Sequence, residues 1–233
     1  MSNKKFPETK MVSDSGVPVN DGYPQSAFND DYWMYRGTNG EARIEKSAGS
    51  AIAYFKKMFE FIGTNDFSIL DVGAGAGNFV NQFRKAGYRS EGCEYSESGK
   101  RLAKERFKID LSYCDLKDKL PYNTDEFDWS LCAGVLSMIP RKDMKNAMSE
   151  ILRVTKYGLL VNVGTLIGPV NLQLRLGNWH HITAMSSVEY YKLITEECGG
   201  YDWTSILPPQ KAKYGIGVVN EYAGLVSKSR WPF

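Results

Sequence analysis

The chain has 233 residues, a size at which one α/β core is the simplest arrangement. Apolar residues make up 42% and mean hydropathy is −0.38, which suits a soluble globular protein; no run of ~18 apolar residues suggests a membrane span. Lys and Arg exceed Asp and Glu by 29 − 27 = 2, so bulk charge selects neither a polyanionic nor a cationic partner.

Residues 1–30 are polar, carry Pro7, Pro18 and Pro24, and lack the apolar core of a secretory signal. They read as a leader without regular structure. Cys93, Cys114, Cys132 and Cys198 lie far apart, with no metal-ligand spacing. The first three sit inside apolar runs and behave as small buried hydrophobes. No metal is expected, and a reducing cytoplasmic setting is.

Tyr32-Trp33-Met34-Tyr35-Arg36 is an aromatic cluster. Ala51, Ile52, Phe55, Met58, Phe59 and Ile62 then share one helical face, closed by Gly63. From residue 67 strands and helices alternate. Phe67–Val72 is the first expected strand. Phe79, Val80 and Phe83 line a helix that Gly87 ends. Ser90–Tyr95 is the second strand, and Leu102, Ala103 and Phe107 mark the next helix. Leu111–Cys114 and Phe127–Ala133 are the third and fourth strands. Met144, Ala147, Met148, Ile151 and Leu152 keep an amphipathic helical rhythm. Leu159–Val163 is the fifth strand. Ser186-x-x-Glu189 is a capping box that opens a helix reaching about Cys198. Asp202–Leu207 and Gly215–Tyr222 read as two strands joined too closely for a parallel crossover, hence as an antiparallel pair.

This order predicts an α/β fold of three α/β/α layers. Its mostly parallel seven-stranded sheet ends in an antiparallel hairpin. Residues 1–46 form the leader and residues 47–233 the single domain.

The chemistry concentrates in Asp71-Val72-Gly73-Ala74-Gly75-Ala76-Gly77, where a strand breaks into a glycine-rich turn and opens a helix. Such a turn lets backbone approach a ligand with no Cβ between them, and the helix start offers free N–H groups. A dinucleotide site asks for G-x-G-x-x-G/A. From Gly73 its last position is Asn78, and from Gly75 it is Val80, so neither register fits. Glu94 ends the second strand, where a carboxylate can accept both hydroxyl protons of a ribose. Tyr95 follows with an aromatic face. Asp115 and Leu116 end the third strand, suited to an exocyclic amine and a purine ring. Taken singly, Glu94 is equally a solvated strand-end acid, Tyr95 a packing residue and Asp115 a turn cap.

Together, D-x-G-x-G-x-G, strand–Glu94 and strand–Asp115 resemble the class I S-adenosylmethionine (SAM) dependent methyltransferases. The resemblance extends to Leu120-Pro121-Tyr122 with Glu126-Phe127-Asp128, and to Glu150-Ile151-Leu152-Arg153-Val154-Thr155-Lys156-Tyr157-Gly158. There Tyr157 stands for the usual proline and Leu159 for the second glycine. It implies SAM as cofactor, held by Asp71, Gly73, Ala74, Gly75, Gly77, Glu94, Tyr95, Asp115, Leu116 and Ala133. Tyr32, Trp33, Tyr35 and Arg36 belong to a segment that covers the cofactor in related enzymes, with Arg36 placed to pair with the methionine carboxylate. The alternative is an aromatic staple on the domain surface.

Ala133-Gly134-Val135-Leu136-Ser137-Met138-Ile139-Pro140 lacks the Asp/Asn-Pro-Pro-aromatic segment of DNA amino-methyltransferases. It resembles the V-L-E-H-I-P of enzymes that methylate small molecules, with Ser137-Met138 replacing Glu-His. A small-molecule or glycan acceptor, methylated on O or N, is therefore expected. An RNA or protein methyltransferase, or a SAM-binding partner protein without activity, are the alternatives. His180 and His181 are the only histidines. They flank the expected acceptor pocket and are the candidate general bases, His181 ahead of His180; a structural hydrogen bond is the other reading. Lys100, Arg101, Lys104, Arg106 and Lys108 lie among Glu97 and Glu105, the pattern of a solvated helix face more than of a nucleic-acid surface.

Overall fold

The computed structural model describes residues 25–30, 32–33, 52–53, 55–56, 60, 66–166, 183, 185, 187–199, 202–210 and 219–227; beyond residue 161 in the strands it describes the backbone alone. Five strands run parallel: β1 (Ser68–Val72), β2 (Arg89–Glu94), β3 (Ser112–Tyr113), β4 (Phe127–Ala133) and β5 (Thr155–Leu166). Between them lie α1 (Asn78–Lys85), α2 (Glu97–Phe107) and α3 (Met144–Val154). Alternate strand residues feed different cores, which is why the strands read as continuous apolar runs. Leu70, Val72, Cys132, Leu159 and Val161 pack on one face with Met148, Ile151 and Leu152 of α3. Ile69, Trp129, Leu131 and Leu160 pack on the other with Phe83 of α1 and Phe55. Ile52, Ala53, Phe55, Lys56 and Glu60 are helical, and Phe55 is fully buried, as the upstream stripe predicts.

The sheet order is β3-β2-β1-β4-β5-β7-β6, where β6 is Asp202–Gln210 and β7 is Val219–Ser227. From β1 the chain steps outward through β2 and β3, then returns to lay β4 on the opposite side. A crevice therefore opens at the carboxyl ends of β1 and β4, the usual place for a ligand in such sheets.

Several boundaries differ from expectation. β3 is shorter than Leu111–Cys114 because only Ser112 and Tyr113 pair with β2. β5 begins eight positions after Ala147's turn of α3, at Thr155 rather than Leu159: Thr155 leaves α3 directly in an extended conformation. Phe127 pairs with Thr155 and Trp129 with Gly158, so β5 carries one extra residue there. β6 and β7 pair antiparallel with each other, and β7 pairs antiparallel with β5. β7 is described over Val219–Ser227, past the expected end at Tyr222, while residues 215–218 lie outside the described residues; β6 extends to Gln210 through Pro208 and Pro209. The β6–β7 register shifts across those prolines, which cannot donate to a ladder and sit on the sheet edge.

The helix α4 (Ser187–Lys192) falls where a helix is expected, with Ser186 outside the described residues, and continues as a π-helical turn over Leu193–Glu197. Among the described residues no helix is long and apolar enough to cross a membrane.

Candidate active site: a carboxylate corner at the switch point

Asp71 lies near the carboxyl end of β1 and is 2% exposed. Its Oδ2 has no hydrogen-bond partner among the described residues. Burial, and then the charge of Glu94, push its carboxyl up to about 8. A buried, unpartnered carboxyl oxygen is costly unless a ligand answers it.

The chain after Asp71 turns three times through left-handed backbone, at Gly73, Gly75 and Gly77. Gly77 is the N-cap of α1, and a Cβ there would lie 2.9 Å from Ala103 Cβ of α2. Glycine thus lets α1 start close against α2. The Gly73 and Ala74 N–H groups both reach the Cys93 carbonyl at 2.9 Å, which fixes the turn to the end of β2.

Glu94 is 6% exposed at the last position of β2. Its Oε2 accepts the Gly75 N–H at 2.7 Å and its Oε1 accepts the Ser96 N–H at 2.8 Å. Burial raises its carboxyl above the ordinary range, while the Ser96, Gly75 and Tyr95 N–H groups and Lys100 oppose that rise. A carboxylate has about four lone-pair sites, so acceptor capacity for a ribose hydroxyl remains beside the Gly75 backbone, which carries no Cβ.

The adenine side is mixed. Tyr95 is half-buried, with its ring 6.2 Å from Tyr113 and 6.3 Å from Phe28. Asp115 accepts the Lys117 N–H at 2.9 Å and faces the Lys117 ammonium at 3.4 Å. It therefore serves as a turn cap whatever else it does. Leu116 is 4% exposed and packs into the main core. Ala133 closes β4 at the opposite wall, partly buried against the second core. The structure thus brings Asp71, Gly73, Ala74, Gly75, Gly77 and Glu94 into one corner, flanked by Tyr95, Asp115 and Ala133. Arg36, Tyr35, Trp179, His180 and His181 lie outside the described residues.

Two neighbours escaped the sequence reading. Ser96 is fully buried and is the N-cap of α2, its Oγ accepting the Gly99 N–H at 3.1 Å. A serine before Glu97 at a helix start is a readable cap signal. Gln25 donates to the Tyr95 carbonyl at 2.7 Å, with no local pattern to announce it.

Past β4, a 3-10 turn over Leu136–Met138 buries Leu136 and Ser137, and Ser137 Oγ has no partner among the described residues. Thr183 is tied to this turn twice. Its N–H donates to the Ser137 carbonyl at 3.0 Å and its hydroxyl to the Ile139 carbonyl at 2.5 Å. Among the described residues no group of three or more His, Cys, Asp or Glu side chains is placed to hold a metal.

The residues at this corner fit SAM: a buried acid unpartnered among the described residues, a diol-ready carboxylate and a turn with three glycines that carry no Cβ. Residues 69–158 match the family model described as a methyltransferase domain. No curated protein sequence matches the chain. Among solved structures, magnesium protoporphyrin IX methyltransferase of Synechocystis PCC 6803, with bound S-adenosylhomocysteine (SAH), superposes with a TM-score of 0.68 at 13% identity. The match covers 88% of this chain and 98% of that one. A SAM-dependent methyltransferase of Archaeoglobus fulgidus gives 0.61 at 13% identity, covering 85% and 100% of the two chains. A Haloferax volcanii complex of the Trm112 methyltransferase activator with a methyltransferase gives 0.61 at 17% identity, covering 84% and 94%. These likenesses establish the shared fold, and the matched domain carries the chemistry. Residues 69–158 carry a methyltransferase domain, and the fold is the one shared with the S-adenosylmethionine-dependent methyltransferases on which the chain superposes.

Proposed function

We propose that this enzyme methylates an oxygen or nitrogen of a small molecule or glycan. The observation that carries the cofactor half is the Glu94 carboxylate, buried yet held open by the Gly75 and Ser96 N–H groups. In this reading Glu94 binds the ribose hydroxyls. Tyr95, Asp115 and Leu116 border the adenine. Asp71 answers the amino end, with Gly73, Ala74 and Ala133 giving backbone contact, Gly77 placing α1, and Arg36 pairing with the carboxylate. SAM, when bound, supplies an activated methyl group for in-line displacement. The protein then has to bind, orient and exclude water.

The acceptor reading rests on the turn after β4. Val135 and Leu136 stand where DNA amino-methyltransferases place polar groups, and Leu136 is fully buried. No polar side chain from Gly134 to Leu136 is available to clamp a base amine. Thr183, two positions beyond His181, is anchored to this same turn, which supports His181, with His180 beside it, as the base. A base is required only for an acceptor that must lose a proton. The sheet's antiparallel end, the leader at residues 1–46 with a domain at 47–233, and a cytoplasmic setting complete the reading.

A second reading has one observation in its favour. A structural neighbour is a methyltransferase in complex with its activator, which makes a protein-partnered enzyme the runner-up. Calorimetry with SAH, followed by SAM turnover against pooled small molecules, glycans, RNA and protein, separates the cases. Turnover confined to the small-molecule or glycan pool is expected. Turnover only in the RNA or protein pools would refute the acceptor assignment, and binding without turnover in any pool would point to a partner-dependent or non-catalytic role.

A further inference from the structure

The Glu94 carboxylate is held by two N–H groups, from Gly75 and Ser96, and Trp33 touches both of those residues. The Trp33 indole N–H donates to Ser96 Oγ at 3.1 Å. Its ring lies against Gly75 so closely that a Cβ there would be 2.8 Å from Cζ3 and 2.9 Å from Cη2. These residues are 63 positions apart in the Trp33–Ser96 case, so the contact is tertiary.

The Ser96 hydroxyl is fully committed. It donates to the Phe28 carbonyl at 2.6 Å and accepts from Gly99 N–H and Trp33 Nε1. One donor and two acceptor sites are all that a hydroxyl has. Ser96 thus joins three things: the cap of α2, the Glu94 clamp and the segment of residues 25–33. That segment is pinned elsewhere too. Gln25 bonds the Tyr95 carbonyl, and Asp30 pairs with Arg101 of α2 at 2.5 Å. Asn29 caps the helical turn that presents Trp33, accepting the Tyr32 N–H at 3.0 Å on its side chain.

We propose that Trp33 is a positioning residue that latches residues 25–33 over the Glu94 corner and so governs how long the nucleoside half of the cofactor stays bound. This rests on the ribose assignment of Glu94. The indole adds an apolar wall at Gly75 and fixes Ser96, whose N–H in turn holds Glu94 Oε1. Loosening the latch frees the nucleoside end without touching the sulfur or the acceptor. Release of SAH is the step that should accelerate.

The test uses the full chain with SAH and, separately, adenosine, which carries only the ribose and adenine. Trp33→Phe keeps a ring near Gly75 and deletes the indole N–H. Gln25→Ala loosens the same segment from its other end and guards against a Trp33 variant that fails to fold. Stopped-flow dissociation of SAH should quicken about 3–10-fold in each variant, the scale of one lost hydrogen bond, and adenosine affinity should fall by a similar factor. Association should change less than about twofold, because affinity changes in one site fall mainly on dissociation. Faster association with unchanged dissociation would show that the indole is a plug, overturning the latch. Unchanged rates in both variants would overturn it as well. If the wild-type protein fails to bind SAH, or Glu94→Ala binds it normally, the cofactor assignment beneath the latch falls instead.

Discussion

Gly75 and Glu94 are nineteen residues apart in sequence, yet the Gly75 N–H donates to the Glu94 carboxylate at 2.7 Å. This single bond ties the glycine turn after β1 to the end of β2. It aligns the two motifs that a cofactor must contact together.

Replacing Glu94 by alanine removes the proposed diol acceptor. SAH affinity should weaken by about 1–3 kcal/mol, roughly 5–150-fold, the worth of charged hydrogen bonds. Calorimetry on wild type and variant checks it. Equal affinities would remove Glu94 from the ribose site.

Asp71 makes stability depend on pH. Its carboxyl is pushed up to about 8 in the folded protein, by burial first and the Glu94 charge second. The folded state then holds a proton that the unfolded chain releases at about 4. Stability of the ligand-free protein should fall as pH rises from about 4 to about 8, then level off. Glu94 on β2 is raised in the same direction, and the Cys132 thiol on β4 also faces Asp71. Asp71→Asn should flatten much of the slope in denaturant titrations at pH 5, 6, 7 and 8. A cationic amino group bound at Asp71 favours its ionised form, so SAM binding should release protons near pH 7 in wild type and fewer in Asp71→Asn. An unchanged slope would place the titration elsewhere.

Thr155 tests the joint between α3 and β5. Its hydroxyl donates to the Ile151 carbonyl at 2.6 Å and accepts from Ser130, also at 2.6 Å, in a fully buried position. Thr155→Val should cost about 1–3 kcal/mol by stranding the Ser130 hydroxyl. Adding Ser130→Ala should recover part of that loss, since both partners are then gone. Strict additivity in chemical denaturation would argue against the bond.

Phe83 is fully buried between Phe55, 5.7 Å away between ring centroids, and Tyr88, 6.3 Å away. Phe83→Ala should destabilise the fold by about 3–5 kcal/mol through lost burial and a residual cavity. Urea unfolding reads this directly.

The legible parts of the fold and site were local in sequence. Asp71 to Gly77 and Glu94 lie at strand ends and Asp115 two residues past β3, and short motifs of strand plus turn can be read without knowing what packs against them. The Glu150–Arg153 motif was equally readable, and its role is now physical. Glu150 accepts the Leu120 N–H, while Arg153 bonds the Leu120 and Tyr122 carbonyls, fastening the approach to β4. Illegible were features decided by distant partners. The β5 bulge depends on register with β4, and the short β3 on how much of it β2 can reach. Trp33 read as an aromatic in a covering segment, but nothing local joins it to Ser96 or Gly75.

A co-crystal structure of the protein with SAH should place both ribose hydroxyls on the Glu94 carboxylate, the amino end toward Asp71, and the sulfur facing the turn after β4. SAH bound away from the Asp71–Glu94 corner, or a ribose held by other residues, would contradict that placement.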